Sequence, residues 1–265
     1  MTRELVVGHI ALSFHAASAA VVRAIVEQAG VKTVTREAPH EAMYAMLARG
    51  EVDMLVSAWL PGSHGVYVDP IESELLKLGV LYEPYAIWGV PDYVPSNLVA
   101  RVADLATPAV AARMDKRIQG IGPGAGISRF SREIIDCYSL RELGYEFHNG
   151  TLKDCTDAFE RAYQDRRWAV VPLWHPQYLH HRYRIRELAE PIGLLRGKDA
   201  ATLVIRRDAA HLIPEATLDQ LRHLHLGNAT VAELDHQISV AGQSPDEAAT
   251  HWLAHASRST EEELQ

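Results

Sequence analysis

Apolar residues along this chain fall in short dense runs separated by stretches with helical spacing. Residues 5–11, Leu-Val-Val-Gly-His-Ile-Ala, carry one polar side chain, His9, and read as a strand buried on both faces. Residues 16–28 place apolar positions at helical spacing and stop at Gly30, which takes a positive φ at a helix end without a Cβ clash. The pattern repeats as a strand over 33–37, a helix over 40–48 closed by Gly50, and a strand over 52–57. This β-α-β-α-β order predicts a parallel sheet with crossover helices, whose strands end along one edge.

From residue 82 to 94 the text turns to extended, proline- and aromatic-bearing sequence, and a crossing into a second lobe is expected there. That lobe is predicted to hold a helix over 98–114, a glycine-rich turn over 120–127, a helix over 128–140, a strand over 145–147, a helix over 154–164 and a strand over 168–173. Another extended passage, 201–206, precedes helices over 214–224, 231–240 and 245–255, which bury their faces best by returning to the first lobe. The expected fold is α/β and two-lobed: lobe I over 1–90, lobe II over 91–199 and a return segment of lobe I over 200–265, with a ligand cleft between lobes that closes by hinge motion.

Composition narrows the function. A chain of 265 residues is long for one core and comfortable for two; 48% hydrophobic and 23% charged residues give ordinary globular material. The net charge of -8, without a Lys/Arg stripe, excludes a nucleic-acid surface. No apolar segment reaches the roughly 18 residues of a membrane span. Two cysteines, Cys137 and Cys155, form one bridge or none. The chain enters strand-like sequence directly after Met1-Thr2-Arg3-Glu4 without a signal-peptide pattern, so either a cytoplasmic protein or a processed chain is expected. The paired histidines, His180-His181 and His223 with His225, lack the i, i+4 spacing of helical metal ligands; no metal or cofactor is expected, and these side chains read as solvated. No G-x-S-x-G elbow and no paired carboxylates at a strand end supply a catalytic apparatus, so the chain is not expected to be an enzyme.

Three predicted strand ends carry the candidate chemistry. Trp59-Leu60-Pro61-Gly62-Ser63-His64 offers an indole and an imidazole where an apolar run gives way to a turn, and ligands of open α/β sheets bind outside the carboxyl ends of strands. Gly120-Ile121-Gly122-Pro123-Gly124-Ala125-Gly126-Ile127 leads from a strand into a helix, whose first N–H groups favour an anion. Val170-Val171-Pro172-Leu173-Trp174-His175-Pro176 brings a second indole to a strand end. Rings with an anion cradle describe a site for a small zwitterion, while Trp88, Trp168 and Trp252 read as packing residues. The same glycine turn also fits a loose G-x-G-x-x-A pattern at Gly120, Gly122 and Ala125, leaving a nucleotide-cofactor enzyme as the lesser alternative.

The chain resembles, over essentially its whole length, the glycine betaine/quaternary-amine substrate-binding proteins of ABC importers. The resemblance rests on Ala58-Trp59-Leu60-Pro61 with His64 and Tyr67, on Gly122-Pro123-Gly124-Ala125-Gly126-Ile127, on Trp174-His175-Pro176-Gln177-Tyr178 with Tyr183, and on Pro245-Asp246-Glu247-Ala248-Ala249 before Trp252. It implies a periplasmic-binding-protein-like fold of type II, a periplasmic or extracytoplasmic location, an ABC permease as partner and a ligand such as glycine betaine. It also implies that aromatic rings box a trimethylammonium group, with Trp59 and Trp174 on two cage positions, and that His64 and the amides of Gly126 and Ile127 hold the carboxylate. Where the family commonly has Trp-Thr-Glu after its first strand, this chain has Ser13-Phe14-His15, so Phe14 is the candidate third ring; where it commonly has Pro-His-Trp, this chain has Pro176-Gln177-Tyr178, which adds Gln177 and Tyr178 to the candidates. Choline is the least favoured ligand, since it has no carboxylate for His64 and the two amides. A cytoplasmic ligand sensor of the same fold is the alternative binding role.

Overall fold

The computed structural model describes residues 3–262. In chain order the elements are β1 (Leu5–Ile10), α1 (Ser13–Gln28), β2 (Thr33–Ala38), α2 (His40–Ala48), β3 (Met54–Leu60), α3 (Gly65–Val68), β4 (Leu75–Val80), β5 (Tyr85–Pro91), α4 (Pro108–Ala111), β6 (Arg117–Gln119), α5 (Gly126–Cys137), β7 (Glu146–His148), α6 (Leu152–Gln164), β8 (Val171–His175), α7 (Leu179–Arg182), β9 (Ile185–Glu187), β10 (Ala200–Arg206), α8 (Glu215–His223), α9 (Gly227–Ser239) and α10 (Pro245–Glu262). The chain divides into two compact units, Met1–Glu83 with Ala200–Gln265, and Pro84–Asp199. Strand β5, placed before the expected boundary at residue 90, belongs to the second unit because all its partner strands lie there.

The first unit is built on a five-stranded sheet of order β2-β1-β3-β10-β4. Strand β1 pairs in parallel with β2 and β3, as the alternating pattern predicts, but β10 runs antiparallel to both β3 and β4. Strand β4 escaped the sequence reading. Helix α1 buries Ala17, Val21, Val22 and Ile25 and packs against β1 and β3, with α9 and α10 laid on it. On another side of the sheet Met43, Tyr44 and Leu47 of α2 join Ile10, Leu55, Ala58 and Leu60 in one apolar cluster. Asp53, buried at the start of β3, accepts the Val6 N–H at 2.8 Å and pairs with the Arg3 guanidinium, so this buried carboxylate is satisfied. Gly79 of β4 allows α8 to approach closely: a Cβ there would stand 2.5 Å from the Leu221 carbonyl oxygen.

The strand β3 continues through Trp59 and Leu60, where the sequence reading put the start of a turn; the chain turns at Pro61 after a cis peptide bond. Opposite Leu203 of β10, this strand carries one extra residue: Ala58 pairs with Thr202 and Leu55 with Val204, leaving Val56 and Ser57 against a single partner. Ser57 takes the left-handed conformation, φ 70°, and is fully buried. Two residues opposing one is the definition of a β-bulge.

The second unit holds an antiparallel sheet of order β8-β5-β9 and a parallel pair, β6 and β7. Helices α5 and α6 pack on β8. The Trp88 indole N–H donates to Ser131 Oγ at 2.9 Å, fixing α5 to β5, and a capping box between Thr151 and Asp154 starts α6. The helix expected over 98–114 is replaced by a 3-10 segment, Val102–Ala106, and the short α4. Pro108 is the cause: it disfavours helical backbone at Thr107 and removes a donor, so the two pieces cannot join. Both cysteines are free thiols, Cys137 exposed and Cys155 buried.

Candidate functional site

Three of the predicted ligand residues, Phe14, Trp59 and His64, meet within the first unit. Helix α1 begins at Ser13, three residues earlier than its periodicity indicated, so Phe14 and His15 sit in its first turn just after β1. The Phe14 and Trp59 rings lie 5.4 Å apart between centroids, and Trp59 and His64 6.0 Å apart with planes inclined by 25°. Trp59 and His64 are tied twice across the Pro61 turn: the Trp59 N–H donates to His64 Nδ1 at 2.8 Å, and the His64 N–H donates to the Trp59 carbonyl at 2.8 Å. A backbone N–H can only donate, so Nδ1 is an acceptor and the ring hydrogen is on Nε2. His64 is therefore set as a neutral donor.

The structure adds residues that sequence reasoning missed. The Trp59 indole Nε1–H donates to Tyr82 Oη at 3.0 Å, Tyr82 Oη and Ser57 Oγ are 2.6 Å apart, and Ser57 Oγ lies 2.8 Å from His15 Nδ1. Every member is satisfied when donation runs from Trp59 to Tyr82, then to Ser57, then to His15. Burial is the largest influence on His15 and, with the neighbouring His40 and His9, holds its pKa well below the ordinary imidazole value. Burial likewise pushes the Tyr82 phenol up to about 12, against the opposing pull of its bonds to Ser57, Trp59 and Ser18. Both rings are uncharged near neutrality. His40 and Tyr44 stand 5.4 and 5.5 Å from the His64 ring, and Tyr44 stacks on Tyr67 at 5.0 Å. The signal that could have found this network was Ser57, a lone hydroxyl inside an apolar strand.

The other five predicted residues lie in the second unit. Trp174 is the penultimate residue of β8, opposite Ala86, and is buried. After the cis bond to Pro176 come Gln177, fully buried with no hydrogen-bond partner for either amide atom among the described residues, and Tyr178, which caps α7. Gly126 and Ile127 open α5 behind Ala125, whose extended backbone (ψ 142°) ends the turn. Their N–H groups are the first two of the helix, the pair left without intrahelical acceptors. His180, expected in solvent, instead stacks on His175 at 3.6 Å, and His175 on Tyr85 at 4.8 Å. His180 Nε2 lies 3.1 Å from the Trp174 carbonyl, while Glu187 pairs with His175 at 3.3 Å and accepts from the Tyr85 hydroxyl at 3.3 Å. Burial lowers the His180 pKa to about 4, with His175 acting in the same direction. This three-ring stack supports the backbone carrying Trp174.

Among the described residues, no group of three His, Cys, Asp or Glu is placed to hold a metal ion, and no helix is long and apolar enough to cross a membrane. Residues 3–255 match the family model described as the substrate binding domain of the ABC-type glycine betaine transport system. The chain belongs to this family. Its members are solute-binding proteins rather than enzymes. A curated relative, the glycine betaine/carnitine transport binding protein of Listeria monocytogenes, is 23% identical over 136 residues, covering 51% of this chain and 45% of the relative. The match thus spans about half of that protein's length. Among solved structures, lactococcal OpuAC in its closed form with glycine betaine is 22% identical, with a TM-score of 0.84 and 98% of each chain covered. An ABC-transporter choline binding protein in complex with choline is 17% identical, with a TM-score of 0.82, covering 96% of this chain and 90% of the other. At these identities the structures establish the fold, that of the two-lobed, type II periplasmic binding proteins.

Proposed function

We propose that this protein captures a small quaternary-amine zwitterion, glycine betaine or a close relative, outside the cytoplasm and delivers it to an ABC permease without chemical change. The observation that carries the reading is the convergence of Phe14, Trp59 and the neutral donor His64 in the first unit. A trimethylammonium group has no N–H to donate, so aromatic faces suit it, at about 0.5–2 kcal/mol per ring. The carboxylate is assigned to His64 Nε2–H and, from the second unit, to the amides of Gly126 and Ile127, with Trp174, Gln177 and Tyr178 as further contacts. Each charge-assisted hydrogen bond contributes roughly 1.5–3 kcal/mol, so two rings and two such bonds supply about 4–10 kcal/mol before ordering costs, and the further ring and donors of the second unit are needed to bring the net to the ~8 kcal/mol of micromolar affinity.

His64 also favours betaines over choline, because a choline hydroxyl would accept from Nε2–H as a neutral group while a carboxylate accepts as an anion, roughly twice as strongly. The test is titration calorimetry of glycine betaine, proline betaine, carnitine, choline and a sulfonium analogue against wild type and His64→Ala. The expected result is micromolar binding of a carboxylate-bearing ligand that weakens at least tenfold in the variant. Tightest binding of choline, unchanged in His64→Ala, would overturn the carboxylate assignment.

A further inference from the structure

We propose that Ser57 is a positioning residue for the ligand site: its bulge turns Trp59 onto the face of α1, and its hydroxyl holds Trp59 there through Tyr82. The inference rests on the betaine-binding reading above and goes beyond it, to why the indole faces where it does.

Side chains of a regular strand alternate between faces, so residues 55, 57 and 59 would share one face. In β3 they do not. Leu55 belongs to the apolar cluster with Met43, Tyr44 and Leu47 of α2, and so do Ala58 and Leu60, which have the opposite parity. The alternation has slipped by one residue between 55 and 58, where Val56 and Ser57 oppose Leu203 alone. Beyond the slip, Trp59 points to the other side and meets Phe14 and His15 of α1, at 5.4 and 5.5 Å. Without the bulge, an unbroken strand through the same residues would put Trp59 on the face of Leu55 and send this indole into the α2 cluster.

The slip carries a strain. Ser57 at φ 70° is a non-glycine residue in the left-handed region, in the middle of a buried strand, where glycine would fit without a Cβ conflict. Only a group that glycine lacks explains keeping a side chain there. That group is the hydroxyl, 2.6 Å from Tyr82 Oη and 2.8 Å from His15 Nδ1, while the same Tyr82 oxygen accepts the Trp59 Nε1–H at 3.0 Å. Strained backbone at such positions persists where surrounding structure over-determines it, and here the surroundings are the ring cluster itself.

The experiment compares Ser57→Gly and Ser57→Ala, each in the wild-type and Trp59→Ala backgrounds. Both variants are expected to bind the best betaine about tenfold more weakly, the scale of one lost buried hydrogen bond, with less than about twofold further loss when Trp59 is already absent. Ser57→Gly is expected to melt above Ser57→Ala, since only the alanine keeps a Cβ at positive φ. Equal losses in both backgrounds would make Ser57 a scaffold residue, and wild-type affinity in Ser57→Gly would remove its role. A ligand-independent arm uses 5-fluorotryptophan NMR, with the Trp59 resonance assigned through Trp59→Phe. A displaced or broadened Trp59 signal in Ser57→Gly supports positioning, and an unmoved one overturns it. Should wild type bind none of the tested ligands, the functional reading fails, and the NMR arm still decides the positioning claim.

Discussion

Replacing Trp59 separates an aromatic attraction from simple apolar contact. The ring is 7% exposed, so a cation against its face meets little competing water, and the upper end of the usual range applies, about 2 kcal/mol. Trp59→Leu keeps apolar volume and removes the quadrupole; that energy corresponds to roughly a thirtyfold loss of glycine betaine affinity. Trp59→Phe keeps a π face but gives up the tie to Tyr82, so it should bind about tenfold more weakly than wild type and still better than Trp59→Leu, which loses the quadrupole as well. Both substitutions lose the Nε1–H bond to Tyr82, at about 1 kcal/mol of stability, so this cost cancels between them. The assay is calorimetry well below the melting temperature, with 3,3-dimethylbutanoate as an uncharged-head isostere of the ligand. Wild type should prefer glycine betaine over this isostere by at least tenfold, and Trp59→Leu should shrink the preference. Equal losses for leucine and phenylalanine, or equal binding of the isostere by wild type, would refute the cation–π reasoning.

The pH dependence of stability follows from His180. Its pKa is lowered to about 4 in the folded protein, so below the ordinary ~6.5 the unfolded chain takes the proton first; this contribution is complete above 6.5 and is lost as pH falls toward 4. At pH 5 the loss is about 1 kcal/mol once partial exposure is discounted, His15 adds in the same direction, and urea midpoints of His180→Phe at pH 5 and 7.5 should lie closer together than those of wild type. Ligand affinity, by contrast, should be flat from about pH 7 to 9, because His64 donates as a neutral ring and the Tyr82 phenol at about 12 stays protonated; calorimetry showing a tenfold fall across that range would contradict the tautomer. Gly79→Ala should destabilise by about 1–3 kcal/mol, its Cβ meeting the Leu221 carbonyl, as chemical denaturation would report. Gln177→Leu should melt at or above wild type, having removed a buried amide that has no partner among the described residues, yet bind the ligand more weakly.

Much of the fold was legible from periodicity. Helix α2 occupies its predicted span, and the parallel pairing of β1 with β2 and β3 follows from strand-helix alternation. The misreadings have physical causes. Residues 98–114 look helical in composition, but Pro108 splits them into a 3-10 segment and one short turn of helix. Strand β4 carries Lys77 and Gly79 among its leucines, and its pairing with β10 across the sequence decides it rather than its own pattern. The antiparallel entry of β10 is equally non-local. His180 looked like a solvated residue because ring stacking across a turn leaves no mark in spacing.

The proposed ligand residues divide along the same line, between what a residue type announces and what only geometry supplies. Trp59 and His64 announced themselves as an indole and an imidazole five positions apart at the end of an apolar run. Their relation did not: the two hydrogen bonds that lock them, and with them the neutral tautomer, depend on the turn at Pro61. The direction of the indole was hidden more deeply, since an alternation argument sends Trp59 toward α2 and is wrong by the one residue that the bulge inserts. A period-two pattern can show that a strand exists but cannot show where its phase changes, because the phase is set by the opposing strand. The single local trace of the change is a hydroxyl at position 57, flanked by Val56 and Ala58, in a backbone conformation that glycine would accept more readily. A buried polar residue that breaks an apolar strand is thus the place to look for a change of face, and in this chain the residue two positions on is the proposed cage wall.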